Sequence, residues 1–72
     1  MKKRSVVIAG HRTSVSLEDP FWTELKAMAA TRDMPLAALI EEIDARRETD
    51  NLSSALRIAV LEDLQHRLEE NG

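Results

Sequence analysis

Four cations fall within the first twelve residues, Lys2, Lys3, Arg4 and Arg12, and no acid accompanies them. The rest of the chain holds the other six bases and all thirteen acids, so a segment of +4 precedes a body of −7. Ammonium and guanidinium groups clustered on an otherwise acidic chain are a candidate contact for a polyanion. The plain alternative is a charged, solvated terminus, and charge alone does not separate the two. Other chemistry is thinly represented. There is no cysteine, which excludes disulfides and thiolate metal sites and fits a reducing compartment. His11 and His66 have no ligand spacing, so no metal is expected. The glycines are Gly10 and Gly72, too few for a phosphate-cradling loop, and no nucleophile sits in an elbow motif. Carboxylate pairs such as Glu41–Glu42 fall on a polar helix face. No enzyme activity and no cofactor is expected.

Elements must hold these residues in place, and the chain is short. Seventy-two residues make one small domain, which buries only about 60 % of its unfolded surface and usually needs a staple. Without cysteine, a partner chain is the expected staple. No apolar run reaches the length of a membrane span. Lys2-Lys3-Arg4 followed by Val6-Val7-Ile8-Ala9 superficially resembles a signal peptide, but the run is short and Gly10-His11-Arg12 interrupts it. A cytoplasmic protein is expected.

Residues 1–10 read as a basic N-terminal arm, although Ser5 to Ala9 could extend a strand. A domain over 11–72 follows. His11 to Leu17 alternates, with Thr13, Val15 and Leu17 on one side and Arg12, Ser14 and Ser16 on the other, the pattern of a half-buried strand. Asp19-Pro20 then opens a helix, with Asp19 as N-cap and Pro20 at the first helical position. Phe21, Trp22, Leu25, Met28 and Ala29 share its apolar face. Pro35 begins a second helix with a stripe of Leu36, Leu39, Ile40 and Ile43, ending in the polar cluster Arg46-Arg47-Glu48-Thr49-Asp50. Asn51 caps a third helix over about 51–70. Its stripe of Leu52, Ala55, Leu56, Ala59, Val60, Leu64 and Leu68 is flanked by Ile58 and Leu61, wide enough for burial from two sides. The order is β-α-α-α with one strand. A lone strand leaves its backbone groups unpaired, and the same strand from a second chain, antiparallel about a two-fold axis, satisfies both. A homodimer is therefore expected.

Thr13-Ser14-Val15-Ser16-Leu17, then Phe21, Leu25, Met28 and Ala29, then Leu39-Ile40, together resemble the ribbon-helix-helix superfamily of bacterial DNA-binding dimers over roughly residues 11–47. GHRTSVSLE followed by FW, and later NLSSALR, is similar to a subfamily of short bacterial members with an extra C-terminal helix. The resemblance implies a mostly α fold with one N-terminal β-strand, an intermolecular antiparallel ribbon and a third helix. It also implies that the ribbon enters the DNA major groove, where two strands fit sterically. Carried onto this chain, Arg12, Ser14 and Ser16 face outward to the bases. Val15 and Leu17 face the core, Thr13 at least in part. Arg12 can take guanine bidentately, while serine discriminates poorly. Lys2, Lys3 and Arg4 would add contacts to phosphate. The implied function is sequence-specific transcriptional regulation by a homodimer on double-stranded DNA, with higher oligomers on DNA as an option. The alternative is a scaffold for protein–protein interaction, antitoxin-like or an adaptor, with Glu41, Glu42 and Asp44 facing a basic partner.

One departure stands out. The superfamily's second helix commonly begins with hydroxyls and free N–H groups for a phosphate. Here that stretch is Met34-Pro35-Leu36-Ala37-Ala38. Asn51, Ser53 and Ser54 carry the expected chemistry later in the chain, where an ordinary helix cap is the simpler reading. Either the third helix is an extra element or residues 34–48 are an insertion. The strand-to-Leu39 spacing favours the extra helix.

Overall fold

The computed structural model describes residues 2–47 and 50–71. Two strands, β1 (Lys2–Ile8) and β2 (His11–Leu17), form an antiparallel hairpin. Three helices follow, α1 (Asp19–Thr31), α2 (Leu36–Arg46) and α3 (Leu52–Asn71). The fold is mostly helical and has the strand-helix-helix order expected, with a third helix appended.

The hairpin corrects two expectations. The strand at 11–17 is not alone in its chain. It pairs along its whole length with β1, from Ile8 opposite His11 to Lys2 opposite Leu17, so a ribbon already exists within one chain. The segment expected as an arm at 1–10 is, over its described residues 2–10, part of the domain. Alternation along Lys2–Ile8 turns Val6 and Ile8 inward, where they are 9 % and 8 % exposed. Ala9 and Gly10 make the turn with φ of 51° and 80°. Positive φ at both central residues is the two-residue turn whose twist matches that of the flanking strands. Gly10 takes that conformation freely, whereas at Ala9 it costs about 1 kcal/mol. The Ala9 N–H donates to Glu41 Oε1 at 2.6 Å, which ties the turn to α2.

The helices cover one face of the hairpin. Val6, Ile8, Val15 and Leu17 meet Leu25, Met28 and Ala29 of α1, Leu39, Ile40 and Ile43 of α2, and Ala55, Leu56 and Val60 of α3. Phe21, Trp22, Met34, Leu36, Leu52 and Ala59 pack around this core while partly exposed. No polar side chain is buried among the described residues. Removing this apolar surface from water is what holds so short a chain together, at about 25 cal/mol per Å².

The helix starts differ slightly from expectation. Glu18, not Asp19, is the N-cap of α1, without a side-chain cap bond. The reason is competition: Arg57 holds the Glu18 carboxylate and Arg4 pairs with Asp19. Asp33, at φ 54°, ends α1 in the left-handed turn, and the Met34 N–H donates back to the Ala29 carbonyl. Pro35 is the N-cap of α2. Asn51 caps α3, its Oδ1 accepting from the Ser54 N–H at 3.2 Å. Of the polar cluster between α2 and α3, Glu48 and Thr49 lie outside the described residues.

The apolar stripe of α3 also divides differently. Burial against the core stops at Val60. Leu64 and Leu68 are 36 % and 72 % exposed, joining Ile58 and Leu61 on the outer side. The physical reason is length. Twenty residues span about 30 Å, more than the helical layer beneath can cover.

Candidate nucleic-acid interface

The uncovered face of the hairpin is the candidate site. Strict alternation places Lys3, Ser5 and Val7 of β1 opposite Ser16, Ser14 and Arg12 of β2. Five of the six are exposed and Ser16 is half-buried. The result is a narrow polar strip with a cation near each end, Lys3 and Arg12, and no acid among the six. Its backing is firmest around Ser16, between Val15 at 1 % exposure and Leu17 at 0 %, and around Val7, between the buried Val6 and Ile8. Arg12 lies between the exposed His11 and the half-buried Thr13.

The residues expected at the site do not all arrive there. Arg12, Ser14, Ser16 and Lys3 share the open face. Arg4 does not. It lies opposite Val15 on the helix side, with its guanidinium carbon 4.7 Å from the centroid of the Trp22 ring and Nη2 3.1 Å from Asp19 Oδ1. That position makes Arg4 a structural cation whose charge is stacked on an aromatic face. Trp22 is thereby committed to Arg4 and the core edge. Of Lys2, only the backbone is described.

Other members were missed in the sequence. Ser5 and Val7 belong to the face because β1 is a strand. The signal was present: two seven-residue segments are separated by two residues ending in glycine. The exposed Val7 blurred the polar alternation. In the NLSSALR segment Ser53 was read as part of a helix cap and Arg57 was not singled out, and the contact of both with β2 was not foreseen. Ser53 Oγ accepts from the Ser16 N–H at 3.1 Å, and Arg57 Nη2 donates to the Ser16 carbonyl at 3.2 Å. Arg57 also grips Glu18, Nε to Oε1 at 2.9 Å. That hydrogen bond, with one from the Glu18 backbone, holds the Glu18 carboxyl below its usual value.

The acids of α2 are engaged inside the chain. Glu41 accepts from the Ala9 N–H. Glu42 pairs with Arg32 at 3.5 Å and Arg46 at 3.3 Å, and Asp44 with Arg47 at 2.7 Å. Each is thus already paired within its own chain, while Glu41 and Glu42 remain exposed. The start of α2 offers no hydroxyl, as its sequence implied.

These features define a small hairpin-plus-helices domain with one polar, cationic sheet face. The model of the ribbon-helix-helix domain matches residues 1–64, and the chain belongs to that family. The match includes β1, so the first strand is part of the family's domain. The family is in general one of DNA-binding regulators and antitoxin-like proteins without enzymatic activity. No curated protein and no solved structure matches the chain. No helix among the described residues is long and apolar enough to cross a membrane.

Proposed function

We propose that this chain is a sequence-specific DNA-binding protein, a cytoplasmic transcriptional regulator that acts as a homodimer. The observation that carries this reading is the open hairpin face, where Arg12, Ser14, Ser16 and Lys3 stand together without an acid. Two features support the dimer. Among the described residues, no hydrogen bond reaches the backbone of Arg12 or Ser14 on the outer edge of β2. In addition, Arg57, Leu61, Leu64 and Leu68 recur at helical spacing, so the exposed leucines of α3 continue from the residue that borders that edge.

Pairing two copies along β2 gives the order β1-β2-β2-β1. With strands about 4.8 Å apart, four span more than the major groove, about 12 Å wide. The two central strands would enter it and the two outer strands would meet its walls. Arg12 and Ser14 on the central strands then face base edges, while Lys3 on the outer strands faces phosphates. A net charge of −3 is compatible with this reading because the cations are concentrated where DNA would lie.

A mobility shift against random genomic fragments over a salt series tests the proposal. The expected result is a retarded complex whose affinity falls steeply with salt, as counterions are released from phosphates. Absence of any complex at low salt and micromolar dimer would refute DNA binding and leave the protein-interaction scaffold as the reading.

A further inference from the structure

The outer edge of β2 is closed at one end and open at the other. The two-residue turn makes Ile8 and His11 a hydrogen-bonded pair, and bonded and non-bonded pairs alternate from there. His11, Thr13, Val15 and Leu17 therefore turn their backbone groups toward β1. Arg12, Ser14 and Ser16 turn theirs to the outer edge. Ser16 shows this directly, since its N–H and carbonyl are taken by Ser53 and Arg57 of α3.

We propose that α3 acts as a register stop: by occupying the Ser16 edge position it places the two-fold axis of the β2–β2 ribbon at Thr13. This rests on the homodimer reading above and deepens it. A two-fold antiparallel ladder must match edge-facing residues with edge-facing residues, so three registers need comparison. With Ser14 opposite its own copy, Arg12 requires the backbone of Ser16, which α3 already holds. With Arg12 opposite its own copy, two guanidinium side chains meet directly, an unfavourable like-charge pair. With Thr13 opposite its own copy, Arg12 pairs with Ser14 of the other chain, and vice versa. All four resulting hydrogen bonds use groups that nothing else among the described residues occupies. The groove-facing surface is then built from both chains: each Arg12 stands beside a Ser14 of its partner, and the two Arg12 lie about 8 Å apart on the diagonal. Ser53 and Arg57 thereby act on the site through Ser16 as positioning residues.

The chain has no cysteine, so single-cysteine variants report the register without a background. Thr13 would face itself across a non-hydrogen-bonded pair with Cα atoms about 4.5 Å apart, within disulfide reach. Two copies of residue 12, or of residue 14, would be about 8 Å apart and beyond it. Sedimentation of reduced Arg12→Cys, Thr13→Cys and Ser14→Cys comes first, followed by mild oxidation. The expected result is twice the chain mass for all three, with Thr13→Cys linking at least about tenfold faster than its neighbours. Dimers in which Ser14→Cys or Arg12→Cys links fastest, or in which none links, overturn the register while leaving the dimer intact. A monomer on sedimentation overturns the homodimer reading itself. Amide exchange separates the role of α3. Ser53→Ala should strip protection from the Ser16 N–H while Arg12 and Ser14 stay protected. Retained protection at Ser16 would mean that a partner strand, not α3, holds it.

Discussion

The two faces of the β1–β2 hairpin share fourteen residues and one alternation, yet different forces govern them. The inward face carries Val6, Ile8, Val15 and Leu17 into a dry core and spends its arginine, Arg4, on Trp22 and Asp19. The outward face carries Lys3, Ser5, Val7, Arg12 and Ser14, all exposed among the described residues, and the half-buried Ser16. A period of two sorts adjacent residues into opposite roles. Arg4 and Lys3 are neighbours in a basic run, but one is part of the fold and the other is available to a ligand. Charge counted along the chain cannot make that distinction; strand register can.

The largest effects should come from crossing the two faces. Val15→Asp puts a carboxylate into the core at a cost of several kcal/mol, so helical circular dichroism should be lost at room temperature. Ser14→Asp, one residue away on the open face, should keep the helical signal. If Val15→Asp remains folded, the core is not where the structure puts it.

The two neighbouring cations give the next contrast. Arg4→Ala removes a cation–π contact and a half-exposed ion pair, together worth roughly 1 kcal/mol. That corresponds to a loss of about 4–8 °C in Tm for a domain of this size. Lys3→Ala should stay within about 0.5 kcal/mol of the parent. Equal thermal losses in the two variants would contradict the sorting of the faces.

Smaller still is the turn that joins the strands. Asn-Gly suits two consecutive left-handed residues better than Ala-Gly. Ala9→Asn should therefore raise stability by about 0.5–1 kcal/mol, provided that the Ala9 N–H keeps Glu41. A thermal melt that falls instead would show that the turn conformation is not the one described.

The mildest perturbation is acid. Arg57 lowers the folded pKa of Glu18 below its unfolded value. The stabilisation is therefore full above the unfolded value and is lost as pH falls toward the folded one. Glu18→Gln should flatten the stability curve below about pH 4.5 and leave neutral-pH folding cooperative. An unchanged acid limb would place the Arg57 contact outside the folding equilibrium.

Much of this architecture was legible in the sequence. The alternation of residues 11–17 identified β2 and its two faces. Pro20, Pro35 and Asn51 marked the helix starts to within a residue, and Leu25, Leu39, Ile40, Leu56 and Val60 all reached the core. What stayed hidden was tertiary. For β1 the local signal was present but weak, since Ala-Gly replaces the usual Asn-Gly in the turn and Val7 lies on the wet side. The closure of the β2 edge joins Ser16 to Ser53 and Arg57, which lie far away in the chain. The misread end of α3 has the same origin, because periodicity reports an apolar stripe but not where the supporting layer stops. For the site, Arg12, Ser14, Ser16 and Lys3 were placed on one face by pattern and register together, whereas Arg4 was separated from them only by its contacts.

Arg12 is the proposed reader on the open face. The direct test is equilibrium binding of parent and Arg12→Ala to the best DNA sequence selected by the parent, repeated on unrelated DNA. Each lost bidentate base contact costs about 1–3 kcal/mol. A symmetric dimer loses two, so affinity for the selected site should fall well over tenfold while affinity for unrelated DNA changes far less. Lys3→Ala, measured alongside, should weaken both sequences alike and flatten the salt dependence. If Arg12→Ala binds the selected site as tightly as the parent, the hairpin face is not the reader.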